Sequence, residues 1–134
     1  MRNKFRTTYG MKLRIEGNSI RLRVKKSDLE KLKSEGMIGE TVAFSDNLYF
    51  YYKLKTAQHL QKINGELLQN SIQVTIPLSM AHEWIDTEQV GLEHTLDSGL
   101  KILIEKDFPC KTRDDEDKND LFQELIVKDD PSVC

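Results

Sequence analysis

The apolar positions between residues 12 and 55 hold one phase, and that phase returns 52 residues further on. Residues 12–16 and 19–24 alternate strictly on either side of Gly17-Asn18, which is the signature of a β-hairpin. Leu13, Ile15, Ile20, Leu22 and Val24 share one face of that hairpin; Lys12, Arg14, Glu16, Arg21 and Arg23 share the other. The period then changes. Ser27 reads as an N-cap ahead of Asp28, with Glu30 as its capping-box partner. Leu29 and Leu32 fall on one helical face, and Gly36 closes a short helix near residue 35. A second hairpin follows at 40–44 and 48–54 around Ser45-Asp46-Asn47, where the run from Tyr49 to Tyr52 favours strand over helix.

The same order recurs in the second half. Asn18-Ser19-Ile20 returns as Asn70-Ser71-Ile72, Ser27 falls on Ser79, Leu32 on Trp84, Gly39 on Gly91 and Leu48 on Leu100, without a gap. Only 6 of 44 aligned positions are identical, but the apolar phase is kept throughout, which indicates a duplicated supersecondary unit over 12–55 and 64–107. Residues 72–76 read as a strand ended by Pro77. A helix over 79–87 carries Ala81 and Trp84 inward, and a hairpin at 93–96 and 100–107 turns on Asp97-Ser98-Gly99. Between the halves, Asn64-Gly65 either turns a hairpin or interrupts one long strand.

The expected fold class is therefore α+β: an antiparallel sheet or partly open barrel of six to eight strands with two short helices. One apolar face gathers Leu13, Ile15, Ile20, Leu22, Val24, Phe44, Leu48, Phe50, Ile72, Val74, Ile76, Leu96, Leu100, Ile102 and Ile104, under a cover of Leu29, Leu32 and Trp84. The expected organisation is an extension at 1–10, one domain at 11–110, and an acidic tail at 111–134 that holds a short docking helix near 121–127. Met11 stands where the first strand begins, so it is a second candidate start.

Charge changes this picture in one place. Net charge is −2, yet residues 1–33 hold 11 Lys/Arg against 3 Asp/Glu, while residues 105–134 hold 5 against 10. The two ends are expected to neutralise each other within the fold. The polar face of the first hairpin is more pointed. Its register sets Arg14 opposite Arg21 and Lys12 opposite Arg23, an unfavourable arrangement unless acids stand among them. Glu16, Glu105 and Asp107 could supply those acids from within; otherwise Lys12, Arg14, Arg21 and Arg23 form a site for a phosphate-like anion.

Other chemistry is sparse. His59, His82 and His94 show no metal spacing, and the run from Asp115 fails the EF-hand pattern at Asp120 and Ile126, so no metal and no cofactor are expected. Cys110 and Cys134 read as reduced thiols of a cytoplasmic protein without a secretory signal or a membrane span. Tyr49, Tyr51 and Lys53 on one strand face resemble a base-stacking platform only in outline, which leaves nucleic acid disfavoured as a partner.

The opening Met11-Lys-Leu-Arg-Ile-Glu-Gly-Asn-Ser-Ile-Arg-Leu-Arg, with Val90-Gly91-Leu92 and Leu103-Ile-Glu-Lys-Asp-Phe-Pro-Cys110, resembles a family of small bacterial proteins known as a domain of unknown function. That resemblance implies no activity, cofactor or catalytic residue. The leading expectation is a small cytoplasmic binding or interaction module, leaning away from an enzyme, with a protein partner or an anionic small molecule. The alternative is a phosphate- or polyphosphate-type anion binder or hydrolase on the basic hairpin. It is similar in plan to the triphosphate-tunnel proteins, but lacks their paired-glutamate opening and has Gln73 and Thr75 where the second copy would need bases.

Overall fold

The computed structural model describes residues 10–107. Cys110, the acidic run from Asp114, the 121–127 stretch and Cys134 lie outside the described residues, as does the extension at 1–9. The described chain forms β1 (Lys12–Glu16), β2 (Ser19–Val24), α1 (Lys26–Glu35), β3 (Met37–Ser45), β4 (Leu48–Ala57), β5 (Asn64–Leu68), β6 (Ser71–Pro77), α2 (Leu78–Asp86), β7 (Gly91–Thr95) and β8 (Lys101–Lys106). Hairpin, helix, hairpin thus occurs twice, and β1, β2 and α1 begin 52 residues before β5, β6 and α2.

The strands build two four-stranded sheets, β1-β2-β8-β7 and β3-β4-β6-β5. Each joins one hairpin from either half of the chain. The central ladders, β2 with β8 and β4 with β6, are parallel, so the sheets are mixed. The expected α+β class with eight strands and two helices holds; the expected antiparallel pairing holds for the four hairpin ladders and is corrected at the two central ones, and the strands lie in two sheets rather than in one sheet or a closed barrel. Periodicity reports which face a strand presents; it carries no information on which distant strand becomes its neighbour. The repeated Asn-Ser-Ile stands at the start of each parallel ladder, where Lys101 N–H donates to the Asn18 carbonyl at 3.0 Å and Tyr51 N–H to that of Asn70 at 2.9 Å.

The two halves differ by one slide. Ser19 pairs with Lys101; the 52-residue offset would set Ser71 against Tyr49, but Ser71 pairs with Tyr51. A shift of two residues matches the strand period, so every apolar side chain stays on its face.

The apolar faces of the two sheets meet. Gly65 on β5 lies so close to Ile102 of the opposite sheet that a Cβ there would stand 2.7 Å from its Cδ1. Leu22, Val24, Leu54, Val74, Ile76, Ile102 and Ile104 are fully buried between the sheets, with Leu32, Ala81 and Trp84 from the helices in the same cluster. The expected single apolar face is therefore two faces. Ile15, Phe44 and Leu48, all assigned to it from the pattern, are exposed.

The helix ends are set locally. Gly36 takes the left-handed conformation at φ 81° and its N–H donates to the Leu32 carbonyl at 2.8 Å, as the pattern implies. The N-cap is Lys25 rather than Ser27, with the Lys25 N–H donating to Asp28 Oδ2 at 2.9 Å. Asp28 can play that part because it stands three residues into the helix. The ambiguity at Asn64-Gly65 resolves as a strand over Asn64–Leu68 that turns at Gln69-Asn70, 52 residues after Gly17-Asn18.

Candidate functional site

The basic hairpin has the register its turn implies: Lys12 opposite Arg23, and Arg14 opposite Arg21. Alternation with the buried Leu22 and Val24 sends these cations away from the other sheet, so among the described residues the space between the sheets is filled mainly by apolar side chains, with no charged residue buried there. Each cation has an acid of the chain beside it. Lys12 Nζ lies 3.1 Å from Asp107, Arg14 is 3.3 Å from Glu16, and Arg21 and Arg23 stand 3.6 and 3.4 Å from the same Glu105 oxygen. The parallel pairing of β2 with β8 places Glu105 directly opposite Arg23.

The match is incomplete at one atom. Arg23 Nε donates to Glu105, whereas 3.6 Å is an ion-pair separation too long for a hydrogen bond. Arg21 Nε is buried without a hydrogen-bond acceptor. Among the described residues, four cations here meet three acids, a surplus of one positive charge.

The second feature is apolar and was not legible as a surface. β3 and β4, at 9 and 10 residues, are longer than β7 and β8, at 5 and 6. Val42 pairs with Phe50 across β3 and β4, and Tyr52, Ile72 and Leu67 form the next row across β4, β6 and β5. These positions share the face that carries Leu54 and Val74 into the core, but the row runs out past it. Phe44 is 69% exposed, Leu48 59% and Leu67 72%, with Val42 beside them also exposed. Large apolar side chains left exposed together at one end of a sheet are the kind of surface that marks an interaction site. The unequal lengths of the two second hairpins are the signal that could have revealed it.

Elsewhere the surface is ordinary. Tyr49 and Tyr51 stand 6.2 Å apart with Lys53 Nζ 5.9 Å from the Tyr51 ring, on the outer face as the alternation implies. A shallow open pocket of about 520 Å³ lies between the loop ahead of β5 and the β7–β8 turn, lined in part by Lys62, Asn64, His94 and Asp97. His59, His82 and His94 lie on three different elements, and among the described residues no three His, Cys, Asp or Glu side chains converge on a metal-sized site. None of the described helices is long and apolar enough to cross a membrane.

These features define a double-sheet α+β protein with a basic face largely offset by acids of the described residues and an apolar end on its second sheet. The chain belongs to a family of unknown function, DUF7009, whose model matches residues 11–125. No curated protein matches it.

Proposed function

We propose that this protein is an interaction module, with no catalytic role, that takes a segment of a protein partner on the open apolar end of its second sheet. The observation that carries this reading is the row of Val42, Phe44, Leu48 and Leu67, exposed beside half-buried Phe50 and Ile72. β3 is also the longest edge strand among those described and bears one charge, Glu40, so it offers backbone groups for strand addition beside the apolar row. A fitting segment supplies apolar side chains for the row and acidic ones for Lys12 and Arg14, both about half-exposed. The two halves of the module are, on this reading, copies of one hairpin-helix-hairpin unit, and the elongated β3–β4 pair is where the first copy acquired the docking end.

A photo-crosslinking residue at Phe44, with one at Glu30 as control, tests the proposal in the cells that make the protein. A discrete adduct at position 44 that disappears with Leu48→Asp, and whose purified component binds the purified chain, is expected. Adducts of equal pattern at both positions sink the idea.

The surplus cation and the unsatisfied Arg21 Nε favour a second reading, an anion site formed by Lys12, Arg14, Arg21 and Arg23. Tripolyphosphate at a hundred times its dissociation constant should then add about 2.7 kcal/mol of stability, and less as salt rises. A melting temperature that tripolyphosphate leaves unmoved in the parent and in Arg14→Gln/Arg21→Gln removes that reading.

A further inference from the structure

We propose that the pocket between the loop ahead of β5 and the β7–β8 turn is a binding site for a small zwitterion with an apolar side group, an α-amino acid such as leucine or phenylalanine. The pocket lies at the start of β5, away from the exposed apolar row, and the inference does not depend on the docking function.

Three observations carry it. The first is the shape and lining of the space. Its volume of about 520 Å³ falls within the roughly 300–1,000 Å³ of ordinary small-molecule sites. Its base is apolar, with Ile63 buried and Leu60 and Leu96 half-buried beside it. The missing side chain of Gly65 lets β5 approach Ile102 and Leu96 of the β7–β8 hairpin, which packs that base. His94 shares the inner side of β7 with the buried Leu92, so its ring borders the apolar part.

The second is that the backbone fixes both walls. On one side, Leu96 N–H donates to the Leu100 carbonyl at 2.9 Å and Gly99 N–H to the Leu96 carbonyl at 2.8 Å, with Gly99 at φ 98°. On the other, His59 holds the turn after β4 in the left-handed region at φ 62°, a strained conformation for a residue with a side chain. Ile63 then anchors that loop in the core. A site formed in advance loses little binding free energy to ordering.

The third is charge. Lys62 stands on the loop wall and Asp97 on the turn wall, both exposed. Among the described residues neither is in an ion pair, whereas each cation of the basic hairpin has an acid beside it. An unopposed cation and an unopposed carboxylate over an apolar base complement an α-amino acid. Its carboxylate meets Lys62, its ammonium meets Asp97, and its side group lies against the base. Asn64 and Ser98, on the same two walls, add an amide and a hydroxyl that can bond to either charge.

Titration of the isotope-labelled full-length protein with leucine and with phenylalanine, followed through its amide resonances, tests the site. Saturable shifts in the millimolar range are expected at Lys62, Asn64, His94 and Asp97. N-acetylleucine, which keeps only the carboxylate, and leucinamide, which keeps only the ammonium, should each bind about fivefold more weakly than leucine, the upper end for an exposed ion pair. Glycine, with both charges and no side group, should also bind more weakly. Asp97→Asn should weaken leucine and leave N-acetylleucine unchanged; Lys62→Gln should weaken leucine and leave leucinamide unchanged. Both side chains are exposed, and resonances that stay in place away from the pocket establish that the variants fold. No shifts with either amino acid, shifts centred on the apolar row or the basic hairpin, or equal binding of leucine and its two capped forms would each overturn the proposal.

Discussion

Arg21 and Arg23 share one carboxylate, with a single Glu105 oxygen lying 3.6 Å from the Nε of the first and 3.4 Å from the Nε of the second. Both arginines project from the same face of β2, and Arg14 stands opposite Arg21 on β1. Glu105 therefore offsets a cluster of like charges and does more than complete one pair. Replacing it by Gln should cost about 1–2 kcal/mol, between the values for exposed and for buried pairs, and less at high salt. Adding Arg21→Gln to Glu105→Gln should restore part of that loss, since it removes the repulsion the first change exposes. Urea denaturation of the four proteins of the cycle measures the coupling, and purely additive effects would show that Glu105 is no partner of Arg21.

Trp84 is fully buried in the cluster shared by both sheets, and its Nε1 donates to the Val90 carbonyl at 3.0 Å. The ring fills the space and the hydrogen bond pins the segment ahead of β7. Trp84→Ala should cost about 3–5 kcal/mol. Trp84→Phe should retain most of the packing and lose mainly the hydrogen bond, about 1 kcal/mol plus a small cavity. A denaturant midpoint for the alanine variant that moves by less than 1 kcal/mol would contradict the second helix's place in the core.

The local elements were readable because each rests on short-range rules. The Gly17-Asn18 turn, the Gly36 cap and the alternation that buries Leu22 and Val24 while Arg21 and Arg23 face away all follow from neighbours within a few residues. Sheet membership was not readable, because the pairing of Ser19 with Lys101 lies across 82 residues and leaves no mark on either strand's pattern. The candidate anion residues were legible as a cluster, and so were Glu16, Glu105 and Asp107, the acids that meet them; that Arg21 and Arg23 would draw on one oxygen was not. Phe44 and Leu48 show the limit of pattern reading most plainly. Phase assigned them to the core face, but phase shows neither the register shift between Ala43 and Ser45 nor where the opposing sheet stops.

Gln69 holds φ at 55°, nearly the value of Gly17 at 56°, and each stands at the tip of a hairpin, 52 residues apart. The left-handed region is open to Gly and costs a side-chain-bearing residue about 1–2 kcal/mol, part of which Gly returns through its freer unfolded chain. Gln69→Gly should therefore stabilise by up to about 1 kcal/mol, and Gly17→Ala should destabilise by a similar amount, with open space around its Cβ. Thermal melts of the two variants should move in opposite directions. Shifts of the same sign would mean the two turns are not equivalent.

The two helices are joined at their ends by Lys33 Nζ and Asp86 Oδ1, 2.6 Å apart. The hydrogen bond from Lys33 holds the Asp86 carboxyl below its ordinary value of 3.8; desolvation opposes it, and the Lys33 and then the His82 charges add to the lowering. A folded-state value below the unfolded one fixes the sign. The pair's contribution is fully present above the ordinary carboxylate range and is lost as pH falls through the lowered folded value. Carbon-detected titration of Asp86 should show the depressed midpoint in the parent and a return toward 3.8 in Lys33→Gln. His82→Ala should move it less, because that charge is the smallest of the causes. The stability difference between parent and Lys33→Gln, measured by urea at neutral pH, should close as the pH is taken below the parent's Asp86 midpoint. A difference that persists there would assign Lys33 to packing, while an Asp86 midpoint unchanged by Lys33→Gln would mean the helix ends do not meet in solution.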